Sequence, residues 1–186
     1  MDDSALTLAT ADARYPARLR GRLGEAAPAQ LTTLGNLDLL GLPKTGFFCS
    51  ARCPGNIILA TYDLTARWRD EGRCIISGFH SPVEQECLRI LLRGTSPVIL
   101  CPARNLPTRI PAECQTPLAE GRLLILSGFT AAEKRATTEL ATRRNALVAA
   151  LADEICFAHI TPGGQSERLT HRLKEWGIPF STLSKP

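Results

Sequence analysis

The sequence predicts an α/β fold, a single domain in which helices cover both faces of a mostly parallel sheet. Three observations predict it. At 186 residues, 44% hydrophobic and 22% charged, the chain has the length and composition of one globular domain with a real core. From Gly46 onward, short apolar runs alternate with stretches whose apolar residues recur at helical spacing. Strand, helix, strand repeated in this way calls for right-handed crossovers, hence parallel strands buried on two sides. Helix starts also carry the expected chemistry, as in Ser81-Pro82-Val83-Glu84, with a capping serine, proline at the first helical position and glutamate three residues after the cap.

Residues 1–45 hold scattered Pro and Gly, a helix-like YPARLRGRL and an LTTLGNLDLL piece, and read as a lead-in along the sheet edge without a core of its own. The first strand is expected at 46–50. It runs into Cys49-Ser50-Ala51-Arg52, ahead of a helix over 54–70 that opens on Pro54. The second strand, 73–77, ends in Ser77-Gly78-Phe79-His80 before a helix over 82–93. A third strand at 97–101 is followed by 103–120, rich in proline and polar residues, which reads as a long loop with one helical turn. The fourth strand, 122–127, leads to a helix over 131–151 that carries Arg143, Arg144 and Asn145 and breaks at Asp153-Glu154. The fifth, 155–160, meets Thr161-Pro162-Gly163-Gly164 and a helix over 165–176, and a last strand is expected at 178–182.

In an open parallel sheet, ligands bind beyond the carboxyl ends of the strands, where the winding changes direction. The turns after the first, second and fifth strands should converge there, and each carries small or polar residues. Glycine-rich strand-to-helix turns offer backbone N–H groups to an anion, and arginine offers a planar fork for phosphate. Arg52 reads as a phosphate contact beside a helix N-terminus or as a surface loop arginine. Gly78 permits a close approach or a positive φ. His80 is a phosphate contact, a base or a solvent-facing ring. Consecutive helical residues diverge by about 100°, so at most one of Arg143 and Arg144 shares an edge with Asn145.

Other classes are excluded or left without support. No G-x-G-x-x-G fingerprint follows the first strand and no acidic residue stands at the ribose distance, so no cofactor is expected. No serine lies in a G-x-S-x-G elbow, and His159 and His171 lack an acidic partner at useful spacing. Seven cysteines is an odd number, against a complete disulfide framework, and the one close pair, Cys49 and Cys53, has neither a second pair nor a histidine to complete a metal site. No apolar run reaches the roughly 20 residues of a membrane span, and the acidic start MDDSALTL does not resemble a secretory signal, so a cytoplasmic protein is expected. Net charge is +4 with pI near 8.8, which permits nucleic-acid binding without implying it. Arginine outnumbers lysine 18 to 4, a balance suited to phosphate contacts and equally a product of arginine-rich codon usage.

Taken together, several segments resemble the DprA/Smf DNA-processing family, a Rossmann-like domain of the superfamily that also holds the LOG-type phosphoribohydrolases. They are Tyr15-Pro16, Leu34-Gly35-Asn36, Ser50-Ala51-Arg52, Ile75 to Phe79, Gly94-Thr95 through Leu100-Cys101, and Leu124 to Ser127. The stretch RRNALVAALAD from Arg143 is similar to the family's RRNRIIAGLSD. The likeness extends over about residues 15–181 and includes neither the winged-helix nor the helical module common in the family. Departures concern the helix start at His80, the Pro162-Gly163-Gly164 turn, and Ala146 in place of an arginine. Pro162-Gly163-Gly164 is similar to the LOG-type PGGxGTxxE signature, but Ser166-Glu167 stand where its Gly-Thr belongs and Thr170 where its last glutamate belongs.

The resemblance implies a protein that binds single-stranded DNA during uptake or recombination, acts with a RecA-type recombinase and forms a homodimer. In physical terms this is a phosphate-binding groove at the strand ends. Arg52, Arg143 and Arg144 would neutralise phosphates, and Gly78, Gly163 and Gly164 would supply N–H contacts. Phe79 would stack on a base, with Ser77, His80 and Asn145 completing the set. The alternatives are a nucleotide-binding sensor, a LOG-like nucleoside-monophosphate phosphoribohydrolase, or a scaffold that keeps the fold without the ligand; the missing carboxylate at Thr170 argues against catalysis.

Overall fold

A computed structural model describes residues 5–183; the acidic Asp2 and Asp3 lie outside them. Along the chain run β1 (Leu6–Ala9), α1 (Ala17–Leu23), β2 (Gln30–Gly35), β3 (Lys44–Phe48), α2 (Gly55–Asp70), β4 (Cys74–Ser77) and α3 (Pro82–Leu92). They are followed by β5 (Val98–Leu100), α4 (Ala112–Ala119), β6 (Leu123–Ser127), α5 (Thr138–Leu151), β7 (Glu154–Phe157), α6 (Gln165–Glu175) and β8 (Phe180–Thr182). The strands form one sheet in the order β1-β2-β6-β5-β4-β3-β7-β8. From β6 to β8 every pairing is parallel, and β2 joins β6 and β1 antiparallel. The chain winds outward from β3 through β4, β5 and β6, then α5 carries it back to β7 on the other side of β3. The winding therefore reverses between β3 and β7.

Side-chain alternation builds the two core layers. Phe47, Ile75, Val98, Leu123, Ile125 and Cys156 face one side, where Trp68 of α2, Cys87 and Leu91 of α3 and Cys114 and Leu118 of α4 cover them. Phe48, Ile76, Ile99, Leu124, Leu126, Ile155 and Phe157 face the other, under Leu19 of α1, Leu147 to Leu151 of α5, and Leu169 and Leu173 of α6. Strands buried on both faces read as continuous apolar runs, which is why they were visible in the sequence.

Three stretches differ from the sequence expectation. The lead-in supplies two strands, β1 and β2, which extend the sheet beyond β6. Its helix α1 is tied to α5 by Arg18, which donates to the Leu151 carbonyl at 3.0 Å, and by Arg22, which reaches the carbonyls of Ala150 and Ala152 at 2.8 and 2.9 Å. These guanidinium groups cap the exposed carbonyls at the end of α5. The proline-rich segment 103–120 contains the eight-residue helix α4, held by buried Cys114 and Leu118 despite Pro117 inside it. Helix α5 starts at Thr138 rather than 131, where the Thr137 hydroxyl accepts the Leu140 N–H at 3.2 Å. Among the described residues no helix is long and apolar enough to cross a membrane.

Candidate functional site

The turns after β3, β4 and β7 meet at the reversal of the sheet, and one buried carboxylate ties two of them together. Glu84, 6% exposed, closes the capping box of α3 by accepting the Ser81 N–H at 3.0 Å. It also accepts the N–H of His80 at 2.8 Å and, across the sheet, that of Cys49 at 3.0 Å. Backbone N–H groups that the sequence offered to an anion are thus already occupied by the protein's own carboxylate. The same holds at the Pro-Gly-Gly turn, where the Gly163 N–H donates to the Glu167 carboxylate at 2.7 Å. Gly163 itself has φ 72°, a left-handed conformation that favours glycine.

Ser77 is fully buried and sets the β4 turn. Its hydroxyl donates to the Phe47 carbonyl at 2.7 Å and accepts the Phe79 N–H at 3.3 Å. Phe79 sits at φ 46°, the only non-glycine in the left-handed region among the described residues, and its ring is buried in the α2/α3 core. Such a conformation persists only where the surroundings enforce it. The sequence Ser-Gly-Phe recurs at the end of β6, where the Ser127 hydroxyl accepts the Phe129 N–H at 3.1 Å and donates to the Arg104 carbonyl at 2.7 Å.

The space left by Gly78 is taken by Arg144. A Cβ built on Gly78 would lie 1.3 Å from Nη1 of Arg144, so the glycine is required by a side chain of its own protein, and its φ is not positive. Arg144 is 4% exposed. Its Nε donates to Oδ1 of Asn145 at 2.8 Å and its Nη1 to the Cys101 carbonyl at 3.3 Å. Among the described residues no carboxylate reaches ion-pair distance of it. Burial lowers its pKa below the ordinary guanidinium value, opposed by the more distant charge of Glu84. A guanidinium buried without a counter-charge is costly, and an anion beside it would relieve that cost.

Arg144 forms part of the wall of a cleft of about 380 Å³. Ser50, Ala51 and Arg52 line it from the β3 turn, His80, Ser81 and Glu84 from the β4 turn, Ala141 and Asn145 from α5, and Thr161, Gly164, Gln165 and Ser166 from the start of α6. The Ser50 hydroxyl accepts the Thr161 N–H at 3.2 Å and lies 3.4 Å from that of Ser166, which closes the floor. Gly164 is the N-cap of α6 and gives its first turn no side-chain cap, leaving that helix end open to an anion.

Of the residues singled out in the sequence, the cleft brings together Arg52, His80, Arg144, Asn145 and Gly164. Gly78 and Phe79 line a neighbouring cavity of about 480 Å³, which shares His80 and Arg144 with the cleft. Ser77 lies beneath the surface and Gly163 beside the lining. Arg143 is directed elsewhere: it pairs with Glu133 at 2.9 Å and its guanidinium carbon lies 5.1 Å from the centre of the Phe129 ring. Sequence reasoning missed Glu84, Ser50, Gln165 and Ser166. The capping-box spacing was a signal for Glu84, but not for its reach to Cys49. Among the described residues no cluster of three or more His, Cys, Asp or Glu could hold a metal, and all seven cysteines are free.

A sequence model of the family described as DNA recombination-mediator protein A matches residues 6–161, from β1 to the cleft wall at Thr161. The chain belongs to this family. As a member of the DNA recombination-mediator protein A family, it shares its fold with DNA processing protein A (DprA) from Streptococcus pneumoniae. That structure superposes with a TM-score of 0.79 at 21% identity, covering 97% of this chain and 63% of the pneumococcal one. The present chain thus spans less than two thirds of that relative. A structure of DNA processing protein A from Helicobacter pylori, described for its single-stranded DNA binding mode, gives a TM-score of 0.77 at 19% identity, over 100% of this chain and 83% of that one. A molybdenum cofactor carrier protein from Chlamydomonas reinhardtii gives 0.50 at 14% identity over 75% of each chain. A comparison with curated protein sequences finds no match. The sequence match places the chain in this family, and the structural neighbours share its Rossmann-like fold.

Proposed function

We propose that the cleft binds the phosphate backbone of single-stranded DNA and that the protein serves as a mediator in DNA uptake or recombination. The observation that carries this reading is Arg144, a buried guanidinium that has no carboxylate partner among the described residues and forms part of the cleft wall. Arg52 and the uncapped first turn of α6 add positive potential to the same cleft. In this reading the partner is a RecA-type recombinase and the working form is a homodimer, as the resemblance to the DprA/Smf family implies.

A free nucleotide is the second reading, favoured by the size of the cleft, since about 380 Å³ falls in the range of small-ligand sites. Phosphoribohydrolase chemistry has less support. Among the described residues Glu84 is the one carboxylate lining the cleft and is engaged by three N–H groups, while the Thr170 hydroxyl donates to the Glu167 carbonyl at 2.7 Å.

Fluorescence anisotropy with labelled oligo(dT) tests the proposal. Affinity should fall as salt rises, with a slope of about 0.7 per phosphate neutralised. Thermal shifts should be larger with oligomers than with mononucleotides. Absence of oligomer binding at low salt, or binding indifferent to salt, would sink the proposal, and a shift with mononucleotides alone would favour the second reading.

A further inference from the structure

A groove between α5 and α6 leads out of the cleft. Asn145 and Gln165 belong to both, and from them a groove of about 390 Å³ continues past Arg168 to Arg172. Helical spacing produces this arrangement. Gln165, Arg168 and Arg172 recur at three- and four-residue steps and so share one face of α6, while Leu173 turns inward to the core. Arg168 is exposed and, among the described residues, has no ion pair. Arg172 is half-buried, and its guanidinium carbon lies 4.6 Å from the centre of the Trp176 ring, a contact that leaves its charge unneutralised. Several arginines elsewhere are instead held by acids, as in Arg69 with Asp70 and Arg122 with Glu120. One carboxylate, Glu139, borders the groove, and it too is without an ion pair among the described residues.

Two free arginines one helical turn apart, roughly 6 Å along the axis, present charges at about the step of successive phosphates in an extended, unstacked single strand. Their groove adjoins the cleft that Arg52 and Arg144 line. We infer that the α5/α6 groove is a second phosphate track, which carries single-stranded DNA out of the cleft with its backbone against Arg168 and Arg172. This rests on the cleft being the first contact, and it adds the direction in which the strand leaves. Glu139 opposes the strand and moderates its grip on this segment.

The test measures anisotropy of the full chain with an oligo(dT) ladder, comparing wild type with Arg168→Gln/Arg172→Gln. Glutamine keeps the aliphatic stem near Trp176, and the thermal midpoint checks the fold. On the shortest oligomers that bind, the variant should match wild type. On longer ones wild type should gain affinity that the variant does not. Its salt slope should be shallower by about 1.4, so that between about 50 and 200 mM salt wild type loses roughly sevenfold more affinity than the variant. Glu139→Gln should tighten the long oligomers alone, by about two- to threefold. A folded variant that follows wild type in both length and salt dependence overturns the groove while leaving the cleft intact. A wild type that binds no oligomer overturns the cleft reading, and the groove with it.

Discussion

Replacing Gly78 by alanine separates the place of Arg144 in the cleft from its place in the fold. The new methyl would stand 1.3 Å from Nη1, 1.9 Å from Cζ and 2.6 Å from Nε of Arg144, whereas ordinary contact begins near 3.4 Å. The guanidinium must therefore retreat by about 2 Å, which breaks its bonds to the Cys101 carbonyl and to Asn145. Each such bond to a charged group contributes about 1.5–3 kcal/mol. Against that, a guanidinium without an acid partner regains hydration worth several kcal/mol when it leaves a buried site. Because the φ of Gly78 is not left-handed, alanine also restricts the unfolded chain, a gain of about 0.4–1 kcal/mol. These contributions oppose one another, so the urea midpoint should move little. Oligonucleotide affinity should drop about 10–100-fold, the cost of one charge-assisted phosphate contact, and the salt slope should become shallower by about 0.7. Arg144→Ala should do the same, and the double variant should be no worse than Arg144→Ala alone, because one substitution acts through the other. Wild-type binding by Gly78→Ala would refute the assignment of Arg144. A further loss in the Arg144→Ala background would show that Gly78 acts by another route.

Two further outcomes follow from the surrounding chemistry. Burial works against the charged form of Asp153, but the Arg18 guanidinium and the Lys44 N–H outweigh it and hold its pKa below the ordinary 3.8. A depressed acid contributes stability above its unfolded pKa and loses it as pH falls, so Asp153→Asn should be less stable than wild type at pH 6, with the gap closing below about pH 4 in urea titrations; a gap unchanged down to pH 2.5 would contradict this. Of the seven cysteines only Cys53 is half-buried, while burial pushes Cys74, Cys114 and Cys156 up to about 11 and Cys87 and Cys101 up to about 12. Brief iodoacetamide treatment of the folded protein near pH 8 should therefore add one group, located at Cys53 by peptide mass mapping, and early labelling of any other cysteine would overturn that burial argument.

What the sequence revealed and what it hid divide along the range of the forces involved. The parallel sheet was legible because two-sided burial forces unbroken apolar runs such as Phe47-Phe48 and Leu123 to Leu126, a signal contained in neighbouring residues. β1 and β2 were not, because β2 is a strand through pairing with β6, some 90 residues away, and β1 only through pairing with β2. Helix α4 was hidden by Pro111 and Pro117 and is held by the burial of Cys114 and Leu118, a tertiary effect that overrides local propensity. The cleft divides in the same way. Turn positions were readable, so Arg52, His80 and Gly164 were found at the reversal of the sheet. The state of the backbone donors was not, because Glu84 reaches the Cys49 N–H across 35 residues and converts an open anion site into an internal clamp. With those donors occupied, the proposed phosphate contacts rest on side chains and on the uncapped first turn of α6, which also carries Glu167. Sequence could say that only one of Arg143 and Arg144 would share an edge with Asn145. The choice fell to Arg144 because Gly78, on a different strand end, leaves a hollow of guanidinium size, while Glu133 and Phe129 hold Arg143 outside. The buried arginine of the cleft wall and the glycine that admits it thus sit 66 positions apart, and each has its meaning only in the presence of the other.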